Sequence, residues 1–254
     1  MLWYKSWLET RWRFLIGLGV LMCSAFATVL AYPRVAHLLP LVPAIDTTTA
    51  IGRQIKEAAD LAREYRGYIW SQWFRQNMPQ MWVVFAALLG TGGLLSEGSR
   101  GTALFTLSLP ASRSRLLGIR AAAALGELLL LAVLPSLLVP LLSPGVGESY
   151  GLVEALVHAL CVFVAGAMFF SLAFLLSTVF GDVWRPLLIA LGVAAVLAVA
   201  EQVFRESASG LFSVMSGEAY FRSGRLPWLG LVAAASASAA MLYGASVNFA
   251  QRDF

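Results

Sequence analysis

Residues 152–179 read LVEALVHALCVFVAGAMFFSLAFLLSTV. The stretch contains one carboxylate, Glu154, and one imidazole, His158. It has no proline, and an α-helix of this length reaches about 42 Å at 1.5 Å per residue. The hydrocarbon core of a bilayer is roughly 30 Å thick and needs about 20 mainly apolar residues to cross it. Leu152–Val179 therefore predicts a transmembrane helix long enough to tilt or project.

Five more runs satisfy the same criterion: 14–31, 78–95, 116–142, 186–204 and 227–247. The expected fold is all-α, with the whole chain, 1–254, forming one transmembrane domain of six helices. The third run is long and carries Pro135 and Pro140 in its later part, where a kink is expected. Composition agrees. Of the 254 residues, 59% are hydrophobic and 13% are charged, about half the charged share of a soluble domain. The net charge of +4 fits basic loops beside anionic lipid headgroups. No nucleic-acid partner is expected.

The N-terminal segment 1–13 predicts an interfacial helix. Trp3, Tyr4, Trp7, Leu8 and Trp12 fall on one arc, and Lys5, Ser6, Glu9 and Arg13 on the opposite one. Tryptophan on the apolar side of such a helix belongs at the membrane surface. That pattern argues against reading the first span as a signal peptide cleaved near Val29-Leu30-Ala31. Between the first two spans, residues 32–77 begin with an irregular proline-rich part. Ile51, Ile55, Ala58, Ala62, Tyr65, Ile69 and Trp73 then recur at steps of three or four, predicting an amphipathic helix that lies on the bilayer or caps the bundle. Arg53 with Glu57, and Lys56 with Asp60, can pair along its polar side. Gly67 is its weak point.

The lysines and arginines divide evenly between the two sides, so their number sets no orientation. Lys5, Arg11, Arg13, Arg113, Arg115, Arg120 and Arg185 crowd span ends in short segments. Arg53, Lys56, Arg63 and Arg66 are diluted by Glu57, Asp60 and Glu64. The distribution favours cytoplasmic termini.

No G-x-x-x-x-G-K-[ST] loop, H-E-x-x-H pair or G-x-S-x-G elbow occurs. Gly90-Thr91-Gly92-Gly93 closes a span and suits close helix packing. Cys23 and Cys161 both read as small buried hydrophobes, and no metal-ligating cluster is apparent. No catalytic residue is expected. Glu127 follows Leu116 by eleven positions, about 16 Å along a helix and close to the bilayer centre. Two readings stand. It lines a translocation path or carries a proton, or it is a hydrogen-bonded residue joining helices. His158 is a second candidate for the path, or a local partner of Glu154. Glu201 is expected at the interface. The connection containing Phe180, Gly181, Asp182 and Arg185 is a tight turn or a minor contact with a partner.

The connection after the second span carries the most specific signal. It contains Glu97-x-x-x-Gly101-Thr102 and then Leu107-Ser108-Leu109-Pro110-x-Ser112-Arg113. Residues 97–109 can form a short helix with Leu104, Phe105 and Leu109 on one face, ended by Pro110. An apolar-faced helix of this kind fits a groove on a soluble partner. The segment resembles permease subunits of the type-2 class of ATP-binding-cassette (ABC) exporters, which also have six spans, inside termini and an amphipathic N-terminal helix. The resemblance implies that 97–109 is a coupling helix docked on a nucleotide-binding subunit. Glu97, Arg100, Gly101, Thr102, Leu104, Phe105, Leu109, Pro110 and Arg113 would then serve the contact. The family's connection is often richer in charge than Gly98-Ser99-Arg100, so no particular ion pair carries over. The resemblance further implies an ABC ATPase partner that holds ATP and Mg, no cofactor in this chain, and a second permease copy or paralogue. It also implies a bacterial plasma membrane. The rival class, on Glu127 and His158, is a proton- or ion-coupled transporter or channel without an ATPase.

Overall fold

The computed structural model describes residues 2–38, 50–91, 113–203 and 210–251. Among them the regular structure is helical, with no strand. In chain order the helices are α1 (Leu2–Leu38), α2 (Ala50–Arg63), α3 (Tyr65–Ile69), a π-helical segment (Trp70–Asn77), and α4 (Met78–Gly90). There follow α5 (Arg113–Leu142), a 3-10 turn (Ser143–Val146), α6 (Leu152–Val179), α7 (Trp184–Val203), α8 (Leu211–Ser216), α9 (Glu218–Ser223) and α10 (Trp228–Ala250). Five of them, α1, α5, α6, α7 and α10, are long and apolar enough to cross a membrane. This architecture is compatible with a multi-pass membrane protein.

Helix α6 lies at the centre and packs against α4, α5, α7, α8 and α10. Small residues let its neighbours approach closely. Gly90 of α4 sits against the Phe170 carbonyl and the Ala173 methyl, and Gly166 of α6 faces the Trp82 ring and Met215. The outer helices keep wide apolar faces uncovered, including Leu188, Val196 and Val199 on α7 and Leu229 and Val232 on α10. Such faces would be a liability in water and suit lipid.

Three expectations change. First, segment 1–13 is continuous with the first span. No glycine or proline interrupts residues 2–16, so α1 runs through to Leu38 as one helix of 37 residues. Second, the amphipathic stripe over 51–73 does not lie on one surface helix. The chain breaks at Glu64, whose backbone is extended (φ −96°, ψ 134°). Leu61 then lies so close to Gly67 that a side chain at 67 would strike its carbonyl. Gly67 is needed for this approach. The described side chains on the polar side include exposed Lys56 and an Asp60–Arg63 pair at 3.5 Å. Those of Ile51, Arg53, Ile55, Glu57 and Ala58 lie outside the described set.

Third, the second apolar run is shifted toward the N-terminus. Helix α4 ends at Gly90, because Thr91 is extended (φ −85°, ψ 152°), and 92–95 lie outside the described residues. At its start the helix has no break. Trp70 and Met78 both keep right-handed helical angles, so α3, the π segment and α4 form one column from Tyr65 to Gly90. Tyr65, Ile69, Trp70, Trp73 and Phe74 are buried in it. These side chains pack into the bundle, which is why the stripe does not face a membrane surface. The remaining spans match their expected ranges within a few residues, and α5 continues through Pro135 and Pro140. Cys161 is buried, but Cys23 is exposed on the outward side of α1.

Candidate functional site

Glu97, Arg100, Gly101, Thr102, Leu104, Phe105, Leu109 and Pro110 lie outside the described residues, and Arg113 is described only as the first residue of α5. What the structure gives is the pair of helix ends from which that connection leaves and to which it returns. The end of α4 is held by α1, and so is α5, at Arg120 and Glu127, two and four turns in from its start.

The last carbonyls of a helix have no partner within it. At the end of α4, Arg13 supplies one. Its Nη1 donates to the carbonyls of Leu88 (2.8 Å) and Thr91 (2.6 Å). A guanidinium suits this place, because the helix C-terminus carries partial negative charge. One turn earlier, Glu9 pairs with Arg120 of α5 at 3.3 Å and with Lys5 at 3.6 Å. Thr10, beside it, is hydrogen-bonded through Oγ1 to Glu127 Oε1 at 2.5 Å. Residues 9–13 of α1 thus touch both the end of α4 and the first half of α5. The polar arc read from the sequence is turned onto the bundle here, while Trp3, Tyr4 and Trp12 face outward.

Glu127 is buried, and its second oxygen has no hydrogen-bond partner among the described residues. It stands half-way along α5, as the count from Leu116 expected, and its carboxyl lies beside Thr10 of α1. The first turns of α1 pack along α5, and helical side chains lean toward their own N-terminus.

His158 is not brought to Glu127. It lies at the end away from the N-terminus, buried between α6, the π segment and residues 216–220. The Ser216 carbonyl accepts from Trp70 Nε1 (3.2 Å) and from His158 Nδ1 (2.9 Å). A carbonyl can only accept, so Nδ1 carries a proton. Nε2 faces Glu154 Oε1 at 4.0 Å without a hydrogen bond. The expected Glu154–His158 proximity is present, but the shorter contact of Glu154 is with Arg66 Nε, at 2.7 Å. Tyr150, in the loop before α6, has its hydroxyl buried near the same carboxylate. Burial first, and the charge of Glu154 second, hold that phenol above its ordinary range.

Around this end a layered stack forms. Trp70 and Phe221 are face to face at 4.2 Å, Arg66 lies over Phe221 at 5.0 Å, and Arg75 lies over Trp70 at 5.4 Å. Glu201, expected at an interface, accepts from the N–H groups of Phe212 (2.8 Å) and Ser213 (2.7 Å), satisfying the start of α8. The 180–185 connection is a capped turn. The Asp182 carboxylate accepts from the Arg185 N–H at 2.7 Å and pairs with its side chain at 3.2 Å. Among the described residues no three His, Cys, Asp or Glu side chains gather as a metal site.

The sequence reading missed Trp70, Ser216 and Phe221. Their partners are about 150 positions apart, and no local spacing announces them. Arg13 was visible only as a polar residue on α1.

Compared with protein-family models, curated proteins and solved structures, the chain matches none.

Proposed function

We propose that this chain is the membrane-spanning permease subunit of an ATP-driven ABC exporter. It carries no catalytic residue of its own. A pair of separate ATPase subunits binds ATP and Mg, and a second copy or a related permease completes the assembly. The column Tyr65–Gly90 is the sixth crossing, at just under about 39 Å of helix. With it, successive crossings alternate in direction and bring both termini to one face, taken as cytoplasmic. The membrane is a bacterial plasma membrane, and the cargo is some substrate moved outward.

One observation carries the reading: the Glu97 to Arg113 motif joins the end of α4 to the start of α5, at the face where α1 begins. Motif and position both resemble the coupling element of the family. Support from the fold lies in the contacts of Arg13, Glu9 and Thr10, which tie the end of α4 and the first half of α5 to a third helix. Movement imposed on 97–109 by an ATPase would thus reach three helices.

Purification in mild detergent together with an ATPase encoded next to this chain tests the proposal. Co-purification is expected, with binding weakened in Glu97→Ala and Phe105→Ala. Absence of any bound ATPase, with transport unaffected by both substitutions, would overturn it. A proton- or ion-coupled transporter is the second reading, favoured by the unpartnered oxygen of buried Glu127. Transport in vesicles that needs no ATP and stops when the proton gradient is collapsed would establish that one instead.

A further inference from the structure

We propose that Gln72, Gln76 and Gln80 are the face by which the Tyr65–Gly90 column meets the same column of a second copy of this chain; this deepens the exporter reading and rests on the part of it in which the column crosses the bilayer. From Gly67 to Gly90 only four side chains of the column are exposed, and they recur at steps of four: Gln72, Gln76, Gln80 and Val84. None of the three amides has a hydrogen-bond partner among the described residues. Asn77, by contrast, is turned to Thr28 of α1 at 3.5 Å. The depth of the stripe follows from α6. Phe74 stacks on His158, Gly166 faces the Trp82 ring, and Gly90 sits against Phe170 and Ala173, so the column and α6 run side by side in the same direction. The midpoint of Leu152–Val179 is then level with Met81 and Trp82. Gln80 lies about 2 Å from that level, Gln76 about 8 Å and Gln72 about 14 Å toward the outer end. All three fall within a hydrocarbon core about 30 Å thick centred on α6. A carboxamide with neither water nor a partner is costly there. The outward faces of α7 and α10 show the apolar alternative, with Leu188, Val196 and Val232.

A second copy satisfies these amides. Two copies with their termini on the same side of one bilayer are related by a two-fold axis along its normal, so a residue near the axis meets its own counterpart. Charged side chains would repel there. A carboxamide carries both donors and acceptors, so it pairs with itself, and hydrogen bonds between such side chains join helices in lipid. Arg75 is drawn aside from the stripe, over the Trp70 ring at 5.4 Å. A water-filled path fits less well, because the stripe continues inward as Val84 and then Leu88, which offer water no partner.

Gln76→Cys, in a Cys23→Ser/Cys161→Ala background, tests the interface in native membranes. Oxidation should cross-link it into a dimer, whereas Leu229→Cys, on the exposed face of α10, should stay monomeric. The triple variant Gln72→Leu/Gln76→Leu/Gln80→Leu should associate at least about ten-fold more weakly than wild type, measured by energy transfer between donor- and acceptor-tagged chains in lipid vesicles. No cross-link from Gln76→Cys, equal cross-linking from Leu229→Cys, or unchanged association of the triple variant overturns the proposal. Labelling of Gln76→Cys by a membrane-impermeant maleimide without cross-linking also overturns it and assigns the stripe to a water-filled path. Should the triple variant not fold, the cross-link decides alone. Failure to recover an ATPase leaves the cross-link standing; a missing cross-link in a chain that does bind an ATPase overturns this interface and leaves the exporter reading.

Discussion

Trp70 and Phe221 stack with ring centroids 4.2 Å apart and planes 5° from parallel. They belong to the first column and to the short helix α9, so this contact fastens the segment between α7 and α10 to the bundle. Arg66 and Arg75 close the stack from either side. Phe221→Ala should loosen residues 210–223 by about 2–3 kcal/mol, less than a fully buried Phe→Ala because the ring is only partly buried. Arg75→Gln should cost only about 0.5–1 kcal/mol. Hydrogen exchange of the α8 and α9 amides measures both. Equal protection in wild type and Phe221→Ala would show that the stack does not hold this segment.

Gly217 links α8 to α9 with φ +64°, a conformation that favours glycine. A Cβ there would also stand 2.7 Å from His158 Nδ1, the atom that donates to Ser216. Gly217→Ala therefore combines backbone strain with displacement of the imidazole. A loss of about 1–3 kcal/mol is expected, seen as a lower thermal midpoint in detergent. Gly224→Ala is the control: it shares the positive φ but meets nothing within 4 Å, so it should cost less. If the two variants melt together, backbone strain alone accounts for the effect.

The long apolar helices were legible because each is a local property. A run such as 152–179 has one way to satisfy its backbone in lipid, and α6 begins and ends where the apolar run does. The start of the Tyr65–Gly90 column was misplaced because Trp70, Trp73 and Phe74 alternate with Ser71, Gln72, Arg75, Gln76 and Asn77, and apolarity alone started the helix at Met78. Trp70 is covered by Ser216 of α8 and Phe221 of α9, which the sequence near 70 does not reveal. The candidate site divides similarly. Glu127 and His158 stood out as polar residues in apolar runs, but their separation follows from packing. Arg13 looked like one half of an amphipathic pattern, and only the fold shows that its face is turned inward.

Tyr150 makes a prediction with a definite sign. Burial and Glu154 raise its phenol pKa in the folded protein above about 10 in the unfolded chain. The folded state thus prefers the protonated ring. That stabilisation is complete below about pH 10 and is lost as pH rises through the folded value. Wild type should lose stability relative to Tyr150→Phe as pH rises above about 10, measured from whatever difference the two show near pH 7. Thermal midpoints of both proteins across this range decide it. A constant difference at all pH values would remove Tyr150 from the account.

Thr10 and Glu127 carry the last prediction, because their contact is buried and one-sided. Glu127 has one hydrogen bond, at 2.5 Å to Thr10, and its other oxygen has none among the described residues. Removing Thr10 leaves a buried carboxyl with no partner, which costs about 1–3 kcal/mol beyond the lost contact itself. Removing both polar groups leaves none to satisfy, and an apolar pair of similar volume can be close to neutral. The order of thermal stability should therefore be wild type near Thr10→Val/Glu127→Leu, with Thr10→Val alone well below both. Glu127→Gln should stay near wild type, since a carboxamide can still bond to the hydroxyl. The double variant separates structure from function as well. If it is stable but transports nothing, Glu127 acts on cargo or protons; if it is stable and transports normally, the pair serves only to join α1 to α5. A double variant as unstable as the sum of its two single changes would show that the seam depends on this bond for more than satisfying a buried acid.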